Sequence, residues 1–222
     1  MTGRRAQKGL TLPEVLIALL VFSMIASASV YALRLGVDSR DQLDAADRAL
    51  KNLQIARILI KEDLAQIVQR PVRDEFGVSL PNVFTGGQAV FGGRVEDDET
   101  VLFSFVRNGW INPGSLSPRS ALQYVEYVFR DGAVVRRSRA YLDEASNGDE
   151  TERTVFEGLT DARAEFLNGE LRGELVWVEA WPASGGALAV RPPRAVALTI
   201  EEESLAPLRQ LFWIGDVGAD RL

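Results

Sequence analysis

Two residue types are missing from the 222 residues: there is no cysteine and no histidine. Without cysteine, disulfide frameworks, thiolate zinc sites and cysteine nucleophiles are all excluded. Without histidine, a Ser-His-Asp triad and any His-ligated metal site are excluded too, and the usual proton carrier near neutral pH is absent. A mechanism resting on carboxylates or lysine stays open on composition alone. Bases are the scarcer charge, with 25 Lys and Arg against 31 Asp and Glu, for a net charge of -6. Arg4, Arg5 and Lys8 fall in the first nine residues, where there is no acid. Without them 22 bases face 31 acids, a net charge of -9. A body of that sign is repelled by phosphate backbones, which argues against a nucleic-acid partner. What remains is an ordinary core-forming composition, 46% hydrophobic and 25% charged, enough for one sizeable domain with an appended element.

The charge that is scarce elsewhere vanishes near the N-terminus. Residues 15–33 form a run of 19 without a charge. As a helix they span about 28 Å, close to the hydrocarbon thickness of a bilayer. The three bases lie upstream, so the positive-inside rule places residues 1–9 in the cytoplasm. Three readings compete for this segment. A cleaved secretory signal is supported by Ala26-Ser27-Ala28, an A-x-A cleavage pattern after a basic n-region. A plain signal anchor is the second. Both leave Glu14 unexplained, an acid at the head of the apolar run where a charge is costly. The third is a leader cut before the apolar segment, which then stays in the mature chain.

Gly9-Leu10-Thr11-Leu12-Pro13-Glu14 favours the third reading, because it resembles the prepilin-peptidase motif of Gly, Phe-Thr-Leu, one variable residue and Glu. Leu10 stands where that family has Phe. Pro13 is less usual there, but a first helical turn tolerates proline because its missing N–H has no partner to lose. The resemblance implies cleavage by a prepilin peptidase after Gly9 and methylation of the new terminal residue, Leu10. It also gives Glu14 a role in assembly, pairing with the terminal amino group of a neighbouring subunit. Each of those charges is expensive alone in an apolar core and tolerable when paired.

Beyond residue 33 the helical periodicity continues and turns amphipathic. Leu43, Ala46, Leu50, Leu53, Ile60, Leu64 and Ile67 recur at spacings of three and four, interrupted by Arg57, with Asp41, Asp44, Asp47, Lys51 and Lys61 elsewhere around the helix. One helix is therefore expected from near Leu12 to about Val68, its stripe packed as core, ended by Pro71. The remainder reads as strands at 101–106, 122–130, 133–140, 165–168, 174–181, 194–203 and 208–214, rich in β-branched and aromatic residues. Asp131-Gly132 is a two-residue hairpin signal, and Val196, Leu198 and Ile200 alternate with Ala195, Ala197 and Thr199. Residues 86–93 and 147–152 read as loops, and 215–222 as a loose tail.

Two segments are more specific. Arg70-Pro71-Val72-Arg73-Asp74-Glu75-Phe76-Gly77 resembles the stretch just after the helix in J pseudopilins of the type II secretion system, and 103–129 resembles their strand, Gly-Trp-x-Asn-Pro loop and following strand. Glu14 also argues against the K type, which typically lacks that acid. The resemblance implies an α+β, pilin-like fold: a long N-terminal helix, half transmembrane and half amphipathic, packed on antiparallel β-sheet. Its domains are expected as a leader at 1–9, a membrane helix at 10–35 and a periplasmic domain at 36–222. It further implies a single-pass inner-membrane protein with its bulk in the periplasm. Minor pseudopilins I and K, the major pseudopilin and the prepilin peptidase are its implied partners, with no cofactor, no catalysis and no small-molecule substrate. The implied role lies at the tip of the pseudopilus, promoting its assembly and the export of folded proteins. A minor pilin of a type IV pilus carries the same leader, and a membrane-tethered hydrolase using paired carboxylates is the alternative from another class.

Four further features bear on function. Trp110 and Arg119, in the loop of the 103–129 segment, are candidates for a partner contact, since Trp and Arg are favoured at interfaces; a Trp plugging the core fits the loop equally well. Trp177 and Trp181 share a strand face and read as core. Glu96-Asp97-Asp98-Glu99 reads as a solvated run rather than a calcium site. The stretch 143–152 departs from the D-x-[DN]-x-[DN]-G spacing of a calcium loop.

Overall fold

The structure is a computed structural model. It describes residues 11–73, 83–87, 99–109, 121–139, 141–142, 150–183, 191–203 and 206–215, apart from the side chain of Ala45. A single helix, α1 (Leu12–Ala65), runs from the uncharged segment into the stripe. The chain divides into two compact units, Met1–Asn52 and Leu53–Leu222, and α1 belongs to both.

In the first unit the helix is long and apolar enough to cross a membrane, with none of that window buried. Its serine hydroxyls bond back to the helix's own carbonyls. Ser23 Oγ donates to the Leu20 carbonyl, Ser27 Oγ to that of Ser23 and Ser29 Oγ to that of Ile25, each at 2.8 Å.

In the second unit two antiparallel sheets enclose the core. The first is a meander of β1 (Phe84–Gly86), β2 (Thr100–Arg107), β3 (Gln123–Arg130), β4 (Ala133–Arg139) and β5 (Glu150–Phe156), in that order. The second contains β6 (Asp161–Leu171), β7 (Glu174–Val178), β8 (Ala195–Glu201) and β9 (Leu208–Trp213), in the order β7-β6-β8-β9. Ala56, Ile60, Leu64 and Ile67 join a core with Phe84, Phe103, Phe105 and Tyr127 of the first sheet and Phe166, Val196, Leu198 and Phe212 of the second. A β-bulge between Val101 and Phe103 turns Leu102 and Phe103 into the same core. Phe84 stacks on Phe105 at 5.8 Å and meets Phe166 edge-on at 5.7 Å.

The expected α+β architecture is present, and the differences have physical reasons. The helix stops at Ala65 because Ile67 and Val68 turn to pair with the end of β2: Val68 N donates to Val106 O and Asn108 N to Gln66 O, both at 2.9 Å. Asp131 (φ 51°) and Gly132 (φ 69°) make the expected β3–β4 turn, and Arg172-Gly173 makes a similar one between β6 and β7. The expected loop at 86–93 begins inside β1. A Cβ on Gly86 would lie 2.2 Å from Phe166 Cζ, so the strand's close approach demands glycine. The expected loop at 147–152 overlaps β5, a strand with five exposed residues at its start. Strand 165–168 extends to become β6, and 174–181 ends early as β7. Residue 140, the 88–93 part of the expected loop and the 216–222 part of the tail lie outside the described residues.

Candidate assembly site

Glu14 occupies the first turn of α1 and is exposed. Thr11-Leu12-Pro13-Glu14 has the spacing of a capping box, and Thr11 N donates to Glu14 Oε2 at 3.5 Å. The same carboxylate that an assembling neighbour would need thus faces its own helix start. The residues expected to be cleaved and methylated, Gly9 and Leu10, lie outside the described residues, as do the candidate contacts Trp110 and Arg119.

The stripe divides in two. From Leu53 onward it packs on the sheets, but Leu43 (69% exposed), Ala46 and Leu50 (57% exposed) remain open, so reading the whole stripe as core holds for only its second half. Arg57, the break in the stripe, is used. Its guanidinium donates to Gln210 Oε1 at 3.4 Å and lies 5.5 Å from the centre of the Phe212 ring.

Beside the stripe lies a group that sequence reasoning missed. Asp63 is fully buried. Its carboxylate accepts from Arg107 Nη1, from Arg136 Nε at 2.6 Å and from Tyr127 Oη at 2.7 Å, while Arg107 also donates to Gln66 Oε1. One acid on the helix thus gathers donors from β2, β3 and β4. Burial, reinforced by the Asp63 carboxylate, holds the Tyr127 phenol well above its ordinary pKa, so it stays a donor.

The opposite face of the first sheet carries a second network. Glu99 Oε1 accepts from Arg130 and Arg137, both at 2.7 Å. Arg137 also donates to Glu126 Oε2 at 3.3 Å and to Glu152 Oε1 at 3.1 Å. Burial pushes the Glu126 carboxyl up, and nearby Arg137 and Arg139 offset only part of this. Burial also pushes Glu152 up, but hydrogen bonds from Arg137 and Arg130 outweigh it and leave the carboxyl below its ordinary value. These ion pairs explain how β5 forms without apolar alternation. Its Glu152 meets Arg137 and its Glu150 lies 3.8 Å from Arg139, both on β4. Glu99, last of the acidic run 96–99, is buried against two guanidiniums, so the expectation of a solvated run does not hold for it; Glu96, Asp97 and Asp98 lie outside the described residues. Among the described residues no group of three or more acids is placed to hold a metal.

On the second sheet the two tryptophans part company. Trp181 packs against the core, with Nε1 donating to the Arg191 carbonyl at 3.3 Å. Trp177 does not: β7 ends at Val178, so the two never share a strand face. Trp177 lies half-exposed beneath Arg209, whose guanidinium carbon is 4.7 Å from its ring centre. Arg209 also donates to Glu165 at 3.0 Å, reaching across β8 to β6. An open cleft of about 500 Å³ lies alongside, lined in part by Thr100, Arg163, Glu165, Glu179, Thr199 and Arg209. Arg163 and Arg209 are ion-paired there, with Glu201 and Glu165. Each unit has its own character: the first is an apolar helix, and the second is a pair of sheets braced by ion pairs.

Comparison with known proteins agrees with that geometry. The family described as type II secretion system (T2SS), protein J matches residues 31–214, and the prokaryotic N-terminal methylation motif matches residues 4–30. The type II secretion system protein J of Klebsiella pneumoniae is 30% identical over 210 residues, covering 94% of this chain and 95% of that protein. Its Escherichia coli counterpart is 26% identical over 209 residues, covering 94% and 96%. Among solved structures, a chain of the GspK-GspI-GspJ complex from enterotoxigenic Escherichia coli superimposes with a TM-score of 0.57 at 24% identity, over 74% of this chain and 96% of that one; the likeness confirms the fold.

Proposed function

This chain belongs to the family of type II secretion system protein J, and from that premise we propose that it works in the pseudopilus tip as a membrane-anchored subunit that binds pseudopilins I and K. Its standing as a minor pseudopilin follows from the family; the tip position and the partners are the proposal. The carrying observation is that one uninterrupted helix, Leu12–Ala65, continues from the apolar N-terminal run into a stripe whose second half, from Leu53, is buried against the sheets. The solved relative is a complex named for its K, I and J subunits, which supports the choice of partners.

The same reading makes residues 1–9 a leader removed after Gly9, makes Leu10 the methylated terminus, and puts the sheets in the periplasm with the apolar helix in the inner membrane. Glu14 serves assembly, and Trp110 and Arg119 are proposed to contact a partner. The chain works by binding, without catalysis: its buried carboxylates Asp63, Glu99 and Glu126 are each engaged by arginine. Co-expression of the full chain with its I-type and K-type subunits, followed by sizing with light scattering in detergent, tests the reading. A heteromer containing all three is expected; separate peaks at concentrations well above micromolar would sink it, because an interface of standard size holds there.

A further inference from the structure

The outer strand of the second sheet combines features that a folded domain does not leave together without use. Among the described residues β9 (Leu208–Trp213) is paired on one side only, with β8. Its register fixes which main-chain groups point away. Ile214 N donates to the carbonyl of Arg194 at 3.0 Å, which makes 214 and 194 a directly bonded pair. In an antiparallel ladder such pairs recur at every second residue. Phe212 opposite Val196 and Gln210 opposite Leu198 therefore bond inward to β8, while the N–H and C=O groups of Arg209, Leu211 and Trp213 point to the open side. Among the described residues no strand lies beyond them.

The side chains follow the same alternation. Gln210 and Phe212 are buried, whereas Leu211 is 43% and Trp213 65% exposed. Exposed edges are usually blunted by shortness, charge, proline or a bulge. β1 has three residues, β5 carries Glu150, Glu152 and Arg153, and β7 begins with a glutamate. β9 has six residues, no proline and one charge, and that charge, Arg209, is drawn back across the sheet to Glu165 and Trp177.

We infer that the free edge of β9 is a docking strand that takes an extended segment of a partner polypeptide by β-pairing. Three outward N–H groups and three outward carbonyls offer the main-chain bonds. Leu211 and Trp213 offer an apolar and an aromatic contact for the partner's alternate side chains. The charge of the body selects the occupant. Two copies of this chain, each at -9 beyond the first nine residues, repel one another, so the fitting segment is neutral or basic, alternately apolar and of a different chain. The inference rests on the strand itself and stands whether or not the tip-complex reading holds.

The test uses the full chain in detergent micelles and a labelled probe peptide, acetyl-Lys-Val-Thr-Val-Thr-Val-Lys-amide. A twin of the same charge, methylated on alternate backbone nitrogens, cannot pair as a strand. Binding is read by fluorescence anisotropy and by amide hydrogen exchange. With the probe in excess, exchange at Leu211 and Trp213 is expected to slow by about tenfold or more. The edge of β5 should stay unchanged, and the methylated twin should leave β9 unprotected. Leu211→Pro removes only an outward N–H and should abolish binding with the circular dichroism spectrum unchanged. Should that variant misfold, Trp213→Lys supplies a guard charge on the surface and should abolish binding in its place. Equal protection by the methylated twin, no protection of β9, or undiminished binding by a folded Leu211→Pro or Trp213→Lys would overturn the inference. Protection of the same amides by self-association without peptide would overturn the choice of a different chain as the occupant.

Discussion

Asp63 shows what a single residue does for this fold. A carboxylate with no solvent exposure is tolerable because two guanidiniums and a phenol surround it. Asp63→Asn keeps the shape and removes the charge, stranding Arg107 and Arg136 with 13% and 11% of their side chains exposed. The expected loss is about 3 kcal/mol of unfolding free energy, measured in urea. Tyr127→Phe, which leaves both ion pairs, should cost about 1 kcal/mol. The second network answers to pH. The folded pKa of Glu152 is depressed, so its contribution is present above its ordinary value of 4.5 and is lost as pH falls through the lower folded value. Glu126 has the opposite sign: its raised carboxyl contributes below 4.5 and loses that contribution as pH rises through the folded value. Glu152→Gln should therefore flatten the acid-side loss of stability, and Glu126→Gln should flatten the loss on the way up. Unfolding midpoints measured across the acid range check both signs. None of this was legible beforehand, because Asp63 is one more acid on a charged helix until the arginines opposite it are known. Glu14 was legible, because an acid opening an apolar run is anomalous within the sequence itself.

At the scale of elements, legibility tracked the source of stability. Hydrophobic periodicity sets α1, and the Asp131-Gly132 turn sets the β3–β4 hairpin, so both could be read directly. β5 could not, because it is held by cross-strand ion pairs rather than by an alternating apolar face. β1 was hidden by Gly86, which reads as a loop residue but serves close packing against Phe166. The stripe was legible as a pattern, but where its burial begins was not, since periodicity does not show how far the sheets reach. That boundary can be tested. Ile60→Ala, at a position with no solvent exposure, should cost about 2–5 kcal/mol. Leu50→Ala, on the same stripe but 57% exposed, should stay within about 0.5 kcal/mol of the parent. Equal losses in urea titrations would mean that the stripe is covered along its whole length.

For the whole molecule, the proposed processing would change its N-terminus from a basic leader to a free amino group at the head of an apolar helix. The methylation motif covers residues 4–30 and the family match begins at residue 31, so the two together account for the anchor and the domain it carries. In that reading Arg4, Arg5 and Lys8 would hold the leader on the cytoplasmic side until it is cut. Cleavage at Gly9 would leave the amino group of Leu10 four residues along the sequence from Glu14 and next to Thr11, whose N–H faces the Glu14 carboxylate. An amine and a carboxylate at the edge of hydrocarbon are each costly alone and much less so together. Two consequences follow. Intact mass of the membrane-extracted chain should give a methylated start at Leu10; a start at Ser29, after the Ala26-Ser27-Ala28 pattern, would show an ordinary signal peptide instead. Glu14→Ala should leave insertion unchanged, since removing a charge eases entry of an apolar helix, but should weaken incorporation into the secretion assembly because the amine of a neighbouring subunit loses its partner. Membrane fractionation and a secretion complementation assay separate the two effects. Full secretion by Glu14→Ala, at normal protein level, would show that this subunit enters the assembly through its folded domain alone.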